Sequence, residues 1–382
     1  MMLDLAELVA APGASEAARS MGPGHRLGLV VGGGPGVTIR TTEAGIAVDP
    51  GTDEARVVAA LGEDAFAALR SEELSVFGLL YSGLLTVERG EFGQFAAWEP
   101  ALQALLYDRP VYDPGTALPF AGEDLARSFG FDDDPVAMAA FLERHGFLHV
   151  RSVFGHDELS LLSGEVERLR AMATTDDRRS WWATGADGSE VCCRLTFMGE
   201  RSTAIAALAD DRRLQRLADL SGLGLLPAPT RNDGISVVIK NPGVTDGLSD
   251  LPWHRDCGLG GHPLLCPGIN LGIQLDRADA ANGQLWFLPG SHRHGGPLGD
   301  PWAEGYPTVA IEADPGDVTL HYGHVLHAAP PPSAPDAGRR AIYLGFSKPE
   351  LFTAIPEGKA YNDVIYADGD GRIRSVAEQA GG

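Results

Sequence analysis

Basic residues are few in this chain. Across 382 residues, 30 Lys and Arg stand against 52 Asp and Glu, a formal net charge of −22, and no basic block stands out. Such a surface repels polyanions, so neither nucleic acid nor an anionic membrane surface is an expected partner. Cysteine is scarce as well: Cys192, Cys193, Cys257 and Cys266 are the four present, and none forms a CxxC pair. This argues against a disulfide framework or a zinc knuckle, and Cys257 and Cys266 read as buried free thiols. No apolar run reaches the roughly 18 residues that a membrane span needs. The opening Met1–Glu7 is acidic where a signal peptide is basic. The expected location is therefore cytoplasmic and reducing. An apolar fraction of 44% with 21% charged residues is enough for a full buried core, and the length allows two domains.

In the N-terminal third, Leu27–Val31 and Val37–Thr42 are β-rich and flank the run Gly32-Gly33-Gly34-Pro35-Gly36. A glycine-rich loop after a strand invites a phosphate-binding reading. No helix follows it, however, so a hairpin turn is expected. Gly45–Gly51 adds a third strand. Thr52–Arg70 reads as a helix from the spacing of Val57, Val58, Leu61, Phe66 and Leu69. Glu72–Ser82 reads as a second helix, 83–90 as a short strand, and Phe92–Leu106 as a closing helix. This order, with Ser82-Gly83-Leu84-Leu85-Thr86-Val87-Glu88-Arg89-Gly90, resembles the sterol carrier protein 2 family over residues 25–106. Two departures are Leu84, where a basic residue is common, and Arg89, which is extra before Gly90. The resemblance implies an α+β module with a five-stranded sheet and an apolar tunnel for acyl chains or sterols. A docking or dimerisation platform is the alternative. Residues 1–108 form this expected module.

Residues 109–134, rich in Pro, Gly and Asp, read as a linker, with Asp134 and Pro135 as the cap and first residue of the next helix. From 135 to 350 a second domain is expected, and 351–382 form a tail. Its first elements are a helix over Val136–His145, a strand over Gly146–Arg151 and a longer helix over His156–Met172, on which Leu159, Leu162, Val166 and Leu169 share a stripe. After a helical segment between 202 and 221, short β-runs follow at 236–240, 268–275, 285–288, 308–312, 317–322 and 340–347. That texture predicts a sandwich or barrel, a double-stranded β-helix buttressed by the preceding helices.

The chemistry concentrates between Pro252 and Ala341. His254 and Asp256 stand two positions apart, and residues i and i+2 of a strand face the same way. An imidazole, a carboxylate and a distant second imidazole make up the set that binds non-haem Fe(II) on one face and leaves three positions open. The third ligand can be His321, His324 or His327. A dicarboxylate co-substrate needs a cation, and a guanidinium offers bidentate geometry. Arg339 and Arg340 open the last β-run, where alternation sends only one of them inward. Trp181 and Trp182 with Arg194 are candidates for a substrate wall.

Taken together, these pieces resemble the phytanoyl-CoA dioxygenase family over residues 135–348. The matching motifs are Trp253-His254-Arg255-Asp256, Asp276, Asn282–His292, Pro315–Val318, Val325-Leu326-His327 and Arg339–Ile342. The resemblance implies an Fe(II)/2-oxoglutarate-dependent dioxygenase that consumes O2, with ascorbate as a supporting reductant. It implies His254, Asp256 and His327 as iron ligands and Arg339 as the 2-oxoglutarate anchor. His321 becomes a support for the ligands, and His292 a mainly structural turn residue. Trp253, Arg255, Trp286, Tyr343, Arg194 and Trp182 are the further candidates for substrate or ligand support. The family often has Ser or Thr two residues after the distal His; here Ala329 stands there, which shifts weight to Arg339 or to Tyr343. Related halogenases carry a small residue where Asp256 stands, so halogenation is disfavoured. The expected reaction is oxidation of an unactivated C–H of a small apolar, lipid-like or natural-product substrate. A lipid carrier with an inert oxygenase domain and a metal-dependent cupin-type isomerase or hydrolase are the rivals.

Overall fold

The computed structural model describes residues 9–353 except 82, 114–119, 121, 186, 232, 245–249, 257–267 and 297–299. Cys257 and Cys266 thus lie outside the described residues, whereas Cys192 and Cys193 are buried thiols outside any disulfide. The chain folds as two compact units, the second taking up most of the chain after Pro119. Among the described residues, no helix is long and apolar enough to cross a membrane.

The first unit is built on a five-stranded sheet. Its strands are β1 (Arg26–Val31), β2 (Val37–Thr42), β3 (Gly45–Pro50), β4 (Val57–Leu61) and β5 (Leu85–Arg89), in the order β3-β2-β1-β4-β5. The hairpin expected at Gly32–Gly36 is present, with β1 and β2 antiparallel. Val57–Leu61 corrects the helix expected over Thr52–Arg70. Val57, Val58 and Ala59 are all buried, and β4 runs parallel to β1. Burial on both faces yields a continuous apolar run whose spacing imitates a helix. The helix begins only at Glu63, as α2 (Glu63–Arg70), after α1 (Ala14–Met21), and α3 (Val76–Tyr81) follows it. The closing helix is two helices, α4 (Phe92–Ala96) and α5 (Glu99–Tyr107), with Pro100 in the first turn of α5, where its missing N–H is not needed. The described residues of 293–306 also belong to this unit, and Val111 pairs with Gly295.

The second unit is a jelly roll. Its large sheet holds β6 (Ser128–Gly130), β7 (Phe147–Arg151), β8 (Ser180–Thr184), β9 (Glu190–Leu195), β10 (Leu226–Pro227), β11 (Ser236–Lys240), β13 (Ile269–Gln274), β16 (Val318–Tyr322) and β18 (Arg339–Ser347). They run β6-β7-β16-β13-β18-β11-β9-β8, with β10 on β18. The small sheet is β12 (Leu251–His254), β17 (His327–Ala329), β14 (Leu285–Phe287) and β15 (Val309–Ile311). Ser128–Gly130, expected in a linker, is instead an edge strand parallel to β7, because Phe129 is buried in the core.

Strand alternation gives the large sheet two unlike faces. Val237, Ile239, Leu271, Ile273, Val318, Leu320, Ile342 and Leu344 share one apolar core with helices α6 (Pro135–His145), α7 (His156–Met172), α8 (Thr203–Ala206) and α9 (Arg212–Asp219). The α6 helix begins as expected: the Asp134 side chain accepts from Val136 N, Pro135 follows, and Gly146 closes the helix in the left-handed region. On the other face, the residues in between are largely polar. They are Ser236, Lys240, Asn270, Gln274, Thr319, His321 and Arg339. A smaller cluster formed by Phe147, Leu285, Phe287, Ile311 and Val325 closes the interior beneath the small sheet.

Candidate active site

The small sheet positions the ligand set. His254 ends β12 and His327 opens β17, and the two are register partners across the pair. Their rings are 4.2 Å apart between centroids. The β-run expected at 317–322 is β16, which ends at Tyr322; Tyr322 to Leu326 turn the chain, and His327, past that run, sits on its own strand in the opposite sheet. Asp256 lies beyond the end of β12, so strand alternation is not what aligns it with His254. The Asp256 backbone N–H donates to Gly323 O at 2.9 Å and fixes it there. One donor atom from each of His254, Asp256 and His327 falls within a cluster whose atoms are all within 4.8 Å of one another. Among the described residues no other such group occurs. Nε2 of His254 is 3.5 Å and Nε2 of His327 is 3.7 Å from Asp256 Oδ1.

Hydrogen bonds leave the right atoms exposed for a metal. A carbonyl oxygen can only accept, so His254 Nδ1 donates to Pro252 O at 2.7 Å and His327 Nδ1 donates to Val325 O at 3.0 Å. Both Nε2 lone pairs are therefore directed to the centre. The Asp256 Oδ2 atom is occupied by two donors, Asn270 Nδ2 at 2.6 Å and His321 Nε2 at 3.2 Å, which leaves Oδ1 for the centre. Burial raises the Asp256 carboxyl, but the surrounding imidazoles of His327, His254 and His321 outweigh it and hold the group well below the usual carboxylate range. Burial, then the neighbouring His254, lowers His327 to about 3, so its imidazole is neutral and able to ligate. Two neutral imidazoles and one carboxylate suit Fe(II) and leave open positions.

Arg339 and Arg340 divide as alternation requires. Arg340 points outward to Asp276 and Glu167. Arg339 is 2% exposed, and its Nε and Nη2 donate to Gly283 O at 3.0 and 2.8 Å. Its Nη1 is buried without a hydrogen-bond partner among the described residues. An orphaned guanidinium nitrogen beside β17 is what a carboxylate anchor requires. Gly283 has φ +75, and a Cβ there would meet Pro330 O at 2.1 Å, so no other residue brings that carbonyl to Arg339. On the inner face, Arg194 lies over the Trp181 ring at 4.6 Å and pairs with Asp233 and Ser236. Burial and the charge of Asp256 both raise the Asp233 carboxyl, which Arg194 opposes.

Several candidates sit elsewhere than expected. Trp182 is not the wall beside Arg194: a register shift between Trp181 and Trp182 turns Trp182 toward the helix-side core, with its Nε1 on Ser180 Oγ. Trp286 is replaced by its neighbour Phe287, which lies 5.4 Å from His321 and 6.0 Å from His327 between ring centroids. Arg255 acts as a brace, donating from Nε to His324 O and from Nη2 to Ser291 O. Trp253 is partly buried beside His254 on β12. His292 is structural, stacked on Tyr322 and donating to Glu143 O. Tyr343 lies opposite Ser236 and over Gly272, where a Cβ would meet its ring at 2.7 Å. Sequence reasoning passed over Asn270, Lys240, Asp233 and Phe287, and of the tandem indoles it is Trp181 that meets Arg194. For Asn270 and Lys240 the signal was present, as polar residues at inner-facing positions of otherwise apolar β-runs.

A jelly roll carrying two histidines and one carboxylate defines a non-haem iron oxygenase of the 2-oxoglutarate-dependent class. A model of the phytanoyl-CoA dioxygenase (PhyH) family matches residues 142–341, and the chain belongs to that family, whose cofactors are Fe(II) and 2-oxoglutarate. The match leaves residues 25–106 untouched. No curated protein matches the chain. Among solved structures, AviO1 from Streptomyces viridochromogenes Tue57 is 25% identical, with 59% of this chain and 98% of that chain covered and a TM-score of 0.46. EctD from S. alaskensis, solved with 2-oxoglutarate and 5-hydroxyectoine, is 24% identical over 63% and 82% of the two chains, with a TM-score of 0.48. EvdMO1 is 25% identical over 56% of this chain, with a TM-score of 0.46, and the chain spans 50% of its length.

Proposed function

We propose that the protein hydroxylates, or otherwise oxidises, an unactivated C–H bond of a small molecule, with His254, Asp256 and His327 as the iron ligands and Arg339 as the anchor for the distal carboxylate of 2-oxoglutarate. The observation that carries this reading is the converging set of Nε2, Nε2 and Oδ1, each ligand's other polar atom being already hydrogen-bonded. Fe(II) bound with 2-oxoglutarate supplies O2 activation coupled to the release of CO2 and succinate. The chain's own part is positioning. Backbone carbonyls orient both imidazoles, Asn270 and His321 fix the carboxylate, and Phe287 keeps water from the ligands' buried side.

Arg194, Asp233, Ser236 and Tyr343 give the inner face polar character beside the centre. This favours a natural-product-like substrate with oxygen or nitrogen functions over a bare lipid chain. The lipid-like substrate implied by the N-terminal resemblance ranks second. The test is anaerobic titration with Fe(II) and 2-oxoglutarate, followed by succinate release under O2 across a substrate panel. A weak visible charge-transfer band and substrate-stimulated succinate are expected. Absence of both would sink the proposal.

A further inference from the structure

On the inner face of the large sheet, one charged pair stands apart from the proposed iron ligands and from Arg339. Arg194 of β9 pairs through Nη2 with Asp233 Oδ2 and donates to Ser236 Oγ at 3.2 Å. Trp181 backs the guanidinium, which lies over its ring. Trp181 in turn belongs to an apolar cluster with Ala183, Cys193 and Val244, and Leu251 of β12 packs against that cluster three residues before His254. The charge of Asp256 acts on Asp233, so the pair adjoins the centre from this side.

The pairing is incomplete. Arg194 Nε and Asp233 Oδ1 are buried, and neither has a hydrogen-bond partner among the described residues. Orphans of this kind destabilise a fold, yet the backbone holds them in place. Asp233 is 7% exposed, and its carbonyl accepts from Phe197 N at 2.8 Å. Phe197 is fully buried with φ +50, a left-handed conformation that strains a bulky residue. Gly234 follows at φ +61, where a Cβ would meet the Phe197 ring at 2.7 Å and Pro229 O at 2.8 Å. Such strain persists where the surrounding structure fixes a functional group.

One unfilled N–H and one unfilled carboxylate oxygen, on two bonded side chains of opposite charge, match a group that accepts and donates at once. A hydroxyl does both. An ether only accepts, a carboxylate adds like charge beside Asp233, and a hydrocarbon leaves both atoms unpaired. We propose that Arg194 and Asp233 are specificity-determining residues that bind a hydroxyl group of a neutral substrate. This assignment rests on the proposed function and narrows its substrate class to a neutral alcohol.

The test is substrate-stimulated succinate release by the full-length Fe(II)-loaded protein with 2-oxoglutarate and O2. The probes are methyl glycosides, cyclitols and sterols, each as the alcohol, its O-methyl ether and the corresponding acid. The best alcohol should exceed its ether and acid in kcat/KM by about 10- to 100-fold, the usual worth of a hydrogen bond to a charged group. In Asp233→Asn the amide gives its oxygen to Arg194 and leaves an N–H in place of Oδ1. The KM for the alcohol should then rise by a similar factor and the ether should gain on the alcohol, a reversal that a purely structural role would not produce. Arg194→Lys keeps the charge without Nε and should raise the same KM. Anaerobic 2-oxoglutarate affinity should stay that of the wild type in both variants. A wild-type preference for acid or ether, a panel in which no alcohol stimulates, an unchanged ranking in folded Asp233→Asn, or a parallel loss of 2-oxoglutarate affinity would each overturn the assignment alone. Failure of the wild-type protein to bind 2-oxoglutarate would overturn the proposed function and this assignment with it.

Discussion

The two faces of the large sheet are made by the same strands and obey opposite rules. Toward the helices, β11, β13, β16 and β18 present Val237, Ile239, Leu271, Ile273, Leu320 and Leu344, all buried hydrocarbon. Toward the small sheet the alternate residues include Ser236, Lys240, Thr319, His321 and Arg339, equally buried but polar or charged, and the partly buried Asn270. The first face stabilises in proportion to the area it removes from water. The second loses hydration and recovers it only through specific hydrogen bonds. Stability and chemistry are thus separated by the direction of a side chain and not by region of the chain, and neighbouring residues should fail in different ways when replaced.

The sharpest break should come from Asp256→Ala, which removes a proposed ligand together with the acceptor for Asn270 and His321. No stoichiometric Fe(II) should survive desalting, and succinate release should fall to background; retained iron, measured by metal analysis, would dismiss the ligand set. On the opposite face, Leu271→Ala should cost about 3–5 kcal/mol of unfolding free energy. Urea titration reads this, and the iron content of the folded protein should stay the same. A loss below about 1 kcal/mol would contradict the tight packing of Leu271 between Leu320 and Leu344.

One position along the same strand, Asn270→Ala should reverse that profile. It should weaken Fe(II) affinity by about 10- to 100-fold with a smaller change in stability than Leu271→Ala. Equal stability losses at 270 and 271 would erase the contrast between the faces. The smallest effect belongs to Asp317, just before β16, whose carboxylate accepts from His149 Nε2 at 2.8 Å and from Ser152 N at 2.9 Å. Burial raises this carboxyl, but the bonds from His149 and Ser152 prevail and lower it. A depressed acid stabilises the fold above the unfolded carboxylate range and loses that contribution as pH falls through its lowered value. Asp317→Asn should therefore lose about 1–2 kcal/mol at pH 7 and show a flatter acid limb in urea midpoints taken against pH. An unaltered acid limb would remove Asp317 from the account.

Much of the second unit was readable from period and punctuation. Asp134-Pro135 and Gly146 bound α6 as a cap, a first residue and a left-handed stop, and His156–Met172 is the helix its leucine stripe announces. The β-run at 236–240 is β11 as expected. Errors arose where long-range packing overrides local spacing. Val57–Leu61 is a doubly buried strand whose apolar run carries no period that separates it from a helix. The clustering of His254, Asp256 and His327 and the inward turn of Arg339 were legible, because those residue types are rarely combined for any other reason. What surrounds them was not. A register shift between Trp181 and Trp182 decides which indole meets Arg194, and a separate strand for His327 decides its partner. Neither leaves a mark on sequence spacing.

The two imidazoles of the centre take their orientation from the main chain, from Pro252 O and Val325 O. Main-chain acceptors cannot be exchanged by substitution, so these two of the three proposed ligands are insulated from mutation of their surroundings. The carboxylate has no such insulation: Asp256 Oδ2 answers to two replaceable side chains, Asn270 and His321. Any adjustment of how strongly the proposed ligands hold a metal is therefore confined to one arm of three. A designer seeking to retune the site would work at 270 and 321 and leave the histidines alone.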